Sequence, residues 1–150
     1  MIFIRPFKPT DMVDIAVQQG QIALGEAGLV TLAQGREYAA SGPAQAFTRG
    51  IDGPLLCLAG LRQTHPHYAT AWCVMADGKR HDFVAITRAC RLMLDFHPQY
   101  TRIDTLVHVD YEAGHRWAQL LGFEPAHVLR HAAPDGGDMM LYELKRKAQG

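Results

Sequence analysis

The stretch from Ala69 to Val109 limits the fold more than any other part of the chain. It opens with "ATAWCVMA", a nearly continuous apolar run that reads as a buried strand. "DGKR" breaks the run. Phe83, Ile86, Cys90, Met93, Leu94 and His97 then recur at helical spacing between Asp82 and His97, and Pro98 marks the end. "RIDTLVHVD" follows with clean alternation, Ile103, Thr105, Val107 and Val109 on one side and Leu106 and His108 on the other. A strand, a helix and a strand in succession, with hairpin signals elsewhere, imply an α/β (mixed α+β) fold: one mixed sheet with helices on both faces. The 150 residues are enough for one domain, 1–150, with a substantial core.

The flanking segments fit that plan. "MIFIRPF" alternates as a strand, and Pro6 points to an edge or a strand end. Thr10 is placed to cap a helix favoured by Asp11 and Asp14, with Val13, Ala16 and Val17 as its apolar side and Gly20 as its stop. Gln21 to Gly42 reads as one or two short helices interrupted by Gly25, Gly28 and Gly35. "AFTRGI", the turn Asp52-Gly53-Pro54 and "LLCLAGL" form a hairpin signal, and "RQTHPHY" reads as a loop. After "RIDTLVHVD" a helix is expected, with Ala113, Arg116, Trp117, Leu120 and Leu121 as its stripe and Gly122 as a left-handed stop. "AHVLRHA" and "MMLYELK" are the last strands, around "PDGGD", and residues 146–150 read as a frayed tail.

Composition excludes several functions. Net charge is zero, which gives no signal for nucleic acid or an anionic membrane. Cys57, Cys73 and Cys90 are odd in number and lack a C-x-x-C pair, so buried thiols are expected rather than disulfides or a metal site. His65 and His67 stand two apart in "THPHY", but spacing implies no third ligand, so no metal is expected. The N-terminus lacks the pattern of a signal peptide, and no run reaches the ~20 apolar residues that cross a bilayer. Synthesis as a soluble protein in a cytoplasm is the expectation.

From "IFIRPFKPTDM", with its I-R-x-x-x-x-x-D pattern, to "MMLYELK", the chain resembles the GNAT superfamily of acetyl-CoA-dependent N-acetyltransferases. "VDYEAGHRWAQLLGFEPAHV", a strand end, helix, glycine stop and phenylalanine, carries the resemblance most clearly. Within the superfamily, "ATAWCVMADGKRHDFVAITRACRLMLDF" followed by "RIDTLVHVDYEAGHRWAQLLGFE" is similar to a degenerate branch of short-tailed bacteriophages that includes a small internal virion protein.

The resemblance implies three chemical requirements. The family holds the cofactor pyrophosphate in an R/Q-x-x-G-x-G/A turn, where successive backbone N–H groups and a helix N-terminus face the phosphates. The matching segment here runs from Met75 to Phe83 and keeps only Gly78. Val74, Met75, Gly78, Lys79 and Arg80 are the implied cofactor-side residues. The turn reads either as a charged substitute built on Lys79 and Arg80 or as a solvated basic cap, and Asp82 at the helix start disfavours an anion.

The second requirement is a tyrosine acid in N-x-x-A-x-x-x-Y-x-x-x-G-F. Aligned on Gly122 and Phe123, the Asn position is Tyr111 and the Tyr position is Ala118. His115, one turn earlier, is the candidate substitute acid. A base is the third, and "ATAWCVMA" offers no carboxylate; Asp104, His108 and Asp110 are the nearby candidates. The cofactor arm would pair with backbone between the splayed strands "ATAWCVMA" and "RIDTLVHV", and Trp72 is placed to narrow that cleft or pack in the core.

The expected function is therefore a virion-associated or assembly protein with a GNAT-like fold and without competent acetyl transfer. Other virion proteins are its expected partners, and the virion its location after synthesis in the host cytoplasm. No cofactor is expected, with acetyl-CoA or CoA the candidate the resemblance offers. The alternatives are an N-acetyltransferase with an atypical phosphate loop and a non-catalytic acyl-CoA binder.

Overall fold

A computed structural model describes residues 1–19, 21 and 30–146. Seven strands form one sheet: β1 (Ile2–Pro6), β2 (Ala44–Arg49), β3 (Leu55–His65), β4 (Tyr68–Met75), β5 (Arg102–His108), β6 (Phe123–Leu129) and β7 (Met139–Leu144). Their spatial order is β1-β2-β3-β4-β5-β7-β6, and every neighbouring pair is antiparallel except β4 and β5. The described helices are α1 (Asp11–Asp14), α2 (Leu32–Ser41), α3 (Arg80–Asp95) and α4 (Glu112–Leu120). The mixed sheet expected from the strand–helix–strand unit is thus present, and α3 is the crossover that makes β4 and β5 parallel.

Both faces of the sheet are covered. Phe7, Met12, Ile15, Leu58 and Val74 form the core on the side of α1 and α2. On the opposite side, Phe47, Cys57, Met75, Ile86 and Cys90 pack beneath α3, and Leu61, Ile103, Val107, Ala118 and Phe123 pack toward α4. Covering both faces explains why β5 buries Asp104 and His108 as well as Ile103 and Val107. All three cysteines are free thiols. Burial pushes Cys57 well up and Cys90 to about 12.

Three local expectations are corrected. Helix α1 ends at Asp14 and buries Met12 and Ile15, leaving Val13 exposed. Thr10 precedes it without a side-chain cap; the Asp11 carboxylate instead accepts the Lys8 N–H at 2.8 Å and two bonds from Arg5. The segment "RQTHPHY" is not all loop. Strand β3 continues to His65, which pairs with Tyr68 across a two-residue turn, because the β4 ladder extends past the core.

On α4 the inward stripe is Gly114, Trp117, Ala118 and Leu121, and Ala113, Arg116 and Leu120 face solvent. Small residues let this helix lie close to β5: a Cβ on Gly114 would come within 2.8 Å of Val107 Cγ1. Gly122 does adopt φ +101°, a left-handed stop. Gly20, Gly25 and Gly28, with most of the segment beginning at Gln21, and residues 147–150 of the expected frayed tail lie outside the described residues.

Candidate functional site

The parallel pairing of β4 with β5 covers only Tyr68–Thr70 against Arg102–Asp104. Beyond it the strands diverge, and the closed end is held by side chains. Buried Asp104 accepts from Tyr68 Oη at 2.5 Å, Thr70 Oγ1 at 2.8 Å and Arg102 at 3.3 Å. The Thr105 hydroxyl then donates to the Ala71 carbonyl at 2.9 Å, a side-chain bond where the backbone ladder has stopped.

A cavity of about 300 Å³ fills the gap. Its wall joins both faces of the sheet, with Met12, Tyr38 and Trp72 from one side and Cys90, Met93 and Trp117 from the other. Trp72 stacks on Tyr38 at 4.0 Å between ring centroids and meets Phe7 edge-on at 5.3 Å, so it is both a cleft wall and a packing residue.

At the open end, the exposed backbone edge of β4 is covered by the chain's own N-terminal segment. The Met75 N–H donates to Gln21 Oε1 at 2.9 Å, and Gln21 Nε2 reaches the Cys73 carbonyl at 3.4 Å. Gln18 bonds the Met75 carbonyl through its own N–H at 2.8 Å and the Ala76 carbonyl through Nε2 at 3.1 Å. Its Oε1 accepts the Tyr111 hydroxyl at 2.7 Å, which bridges the two diverging strands. The expectation that β4 offers open backbone to a cofactor arm therefore meets a β4 edge already hydrogen-bonded at Cys73, Met75 and Ala76.

The turn after β4 is occupied in a similar way. Asp82 is buried in the first turn of α3. Its carboxylate accepts the Lys79 N–H at 3.0 Å and the Arg49 guanidinium at 2.6 Å. The Arg49 bond, reinforced by the Lys79 N–H, holds this carboxyl below the usual Asp range. A negative charge thus already sits at the helix N-terminus, where a bound anion would otherwise be favoured. Gly78, Lys79 and Arg80 are solvent-exposed and outside the cavity wall. Val74 lines the cavity, whereas Met75 packs beneath α3.

His115 is not on the cavity wall. Its Nδ1 lies 2.7 Å from Tyr142 Oη and its Nε2 2.9 Å from the Val109 carbonyl, so both ring nitrogens are engaged. Ala118, in the expected tyrosine position, is buried against Val107 and Phe123.

Among the candidate bases, Asp104 is spent on three donors and Asp110 is exposed. His108 is buried. Its Nδ1 accepts the Asp110 N–H at 3.1 Å, which leaves the ring proton on Nε2, 3.0 Å from Asp135. The described residues contain no group of three or more potential metal ligands.

Gln18, Gln21 and Tyr111 as the closure of the cleft were not foreseen from sequence. The partners are 52 to 93 residues apart, and the amides carry no pattern of their own.

No family model matches the sequence, and no curated protein matches it. Solved structures do. A putative phosphinothricin N-acetyltransferase aligns with TM-score 0.73 and 12% identity over 99% of this chain and 100% of that one. Ard1 from Thermoplasma volcanium aligns with TM-score 0.71 and 19% identity over 95% of each chain. A GNAT-family acetyltransferase from Streptococcus pneumoniae gives TM-score 0.68 and 10% identity, covering 95% and 98%. At these identities the likeness is one of fold, and the chain has the GNAT fold.

Proposed function

We propose that this GNAT-fold chain does not carry out competent acetyl transfer and serves as an interaction scaffold in a bacteriophage particle or its assembly, with other virion proteins as partners. The observation that carries the loss of transfer is internal occupancy. Gln21 and Gln18 take the backbone groups of β4 that a cofactor arm would use, and Asp82 takes the helix start that phosphates would use. The cavity wall also presents Ala118 where a proton donor is needed, and removal of acid–base assistance alone typically costs ~10²–10⁴-fold. The phage assignment rests on the sequence resemblance.

A second reading, acyl-CoA binding or acetyl transfer with His115 as the acid, is supported by the divergence of β4 and β5 and by the acetyltransferases that share the fold. Thermal unfolding with acetyl-CoA separates the two. A ligand present at about 100 times its Kd adds ~2.7 kcal/mol and raises Tm by a few degrees. We expect no shift at millimolar acetyl-CoA or CoA; a saturable rise would overturn the proposal. Mass spectrometry of purified particles checks the scaffold role, which absence of the chain would contradict.

A further inference from the structure

We propose that the outward face of α3 is a docking surface for an acidic amphipathic helix of another protein. The inference deepens the scaffold reading and rests on it only in taking a protein as the partner.

The sequence of α3 supplies two unlike faces. Ile86, Cys90, Met93 and Leu94 are buried in the core. Arg80, Val84, Arg88, Leu92 and Phe96 recur every four residues on the other side, and all five are exposed. Rows at this spacing are the ridges through which helices pack on one another, most often at a crossing of about 50°. The ridge rises ~24 Å, more than four turns, and none of its residues lines the cavity between β4 and β5. Its first half borders a shallow groove of about 550 Å³ lined by Arg80, His81, Val84, Ala85 and Arg88.

The apolar members set this ridge apart from a solvated charged face. Val84 is 46% exposed, Leu92 57% and Phe96 76%. Single exposed apolar residues are ordinary on a folded surface. Here Leu92 and Phe96 are neighbours one turn apart, and the aliphatic stem of Arg88 joins them to Val84. Exposed Leu120 of α4 extends the patch beside Arg91, whose Nη1 donates to the Leu120 carbonyl at 3.4 Å. Such a patch marks an interaction site.

Charge selects the occupant. The chain has zero net charge, yet Arg80, Arg88 and Arg91 have no carboxylate partner among the described residues. Exposed Lys79 and His81 stand at the same end, and the nearby Asp82 is buried and already held by Arg49. Asp95, on the last turn, acts on Arg146. Carboxylates spaced along a facing helix would pair with the three guanidiniums, while its apolar residues cover Val84, Leu92 and Phe96. A phosphate backbone would leave those apolar side chains uncovered, and a second copy of the ridge would set arginine against arginine.

Helical peptides of three heptads test this on the full chain. One carries leucine at positions a and d and glutamate at e and g, where like charges oppose self-association. A second has lysine for each glutamate, and a third has alanine for each leucine. Fluorescence anisotropy reads binding, and ¹⁵N–¹H spectra locate it. We expect the acidic peptide to saturate below about 1 mM with shifts centred on Val84 to Phe96, and the other two to bind at least about tenfold more weakly. Raising sodium chloride from about 0.05 to 0.5 M should weaken the acidic peptide several-fold.

Arg88→Glu with Arg91→Glu should weaken the acidic peptide at least about tenfold and strengthen the lysine peptide. Leu92→Ser with Phe96→Ser should remove binding, and it decides the matter if the first pair does not fold. No saturation by the acidic peptide at about 1 mM overturns the proposal. So does equal binding of the lysine peptide, or binding untouched by either pair of substitutions. Binding to phosphatidylglycerol vesicles or duplex DNA in place of the acidic peptide overturns it too, and gives the face to a membrane or a nucleic acid. A Tm rise with acetyl-CoA would count against the scaffold reading and leave these titrations as they are, so the two failures are distinguishable.

Discussion

Asp82 shows how much one side chain decides here. Its carboxylate joins β2 to the start of α3 through Arg49, and it fills the one place on that helix where backbone N–H groups gather. Because the folded-state ionisation lies below the ordinary Asp value of about 3.9, the bonds stabilise the fold above that pH and fade as pH falls through the lower folded value. Asp82→Asn should therefore lower Tm near neutrality and converge with the parent protein as pH falls below the ordinary Asp range and Asp82 itself becomes protonated. A constant gap across a pH series of melting curves would contradict the ionic account. The sequence disclosed Asp82 as an obstacle to anions because it stands near a helix start; Arg49 as its partner is 33 residues away and left no trace. Ala118 was legible for a different reason, since its spacing from Gly122-Phe123 is local.

Elements were read best where the apolar residues are large and closely spaced. Strands β4 and β5 and helix α3 match their patterns closely, although α3 spans Arg80–Asp95 rather than Asp82–His97. Helix α4 was misread by one position because Gly114 and Ala118 bury little apolar surface yet set how closely the helix approaches. A Cβ at position 114 would sit 2.7 Å from Tyr111 Cδ2 and 2.8 Å from Val107 Cγ1. Gly114→Ala gains up to ~1 kcal/mol of helix propensity but meets overpacking that costs ~1–3 kcal/mol. A net loss of about 1 kcal/mol is expected in urea unfolding, and a stabilised variant would show that α4 can move outward freely.

The whole molecule is a sheet parted at its centre and tied shut at both ends of the parting. The Tyr68–Asp104–Thr70 cluster binds the closed end, and Gln18 with Tyr111 spans the open one. Gln18→Ala removes two side-chain hydrogen bonds, one to the Ala76 carbonyl just after β4 and one from the Tyr111 hydroxyl just before α4, while its own backbone bond to Met75 remains. We expect a stability loss of ~1–3 kcal/mol and faster amide exchange at Met75 than at Leu58, with no change at the far edge in β1. Uniform acceleration would mean the tie does not act locally.

The mixed sheet and the splay were legible in the sequence through the strand–helix–strand unit and the resemblance, whereas the insertion of β7 between β5 and β6 was not. The closure was not, since it joins glutamines to positions far along the chain. That separation also bears on how the protein is made. The Tyr111–Gln18 bond spans 93 residues, so an emerging chain carries an unsealed centre until α4 has left the ribosome. Contacts of such long reach form late and slow the final step of folding.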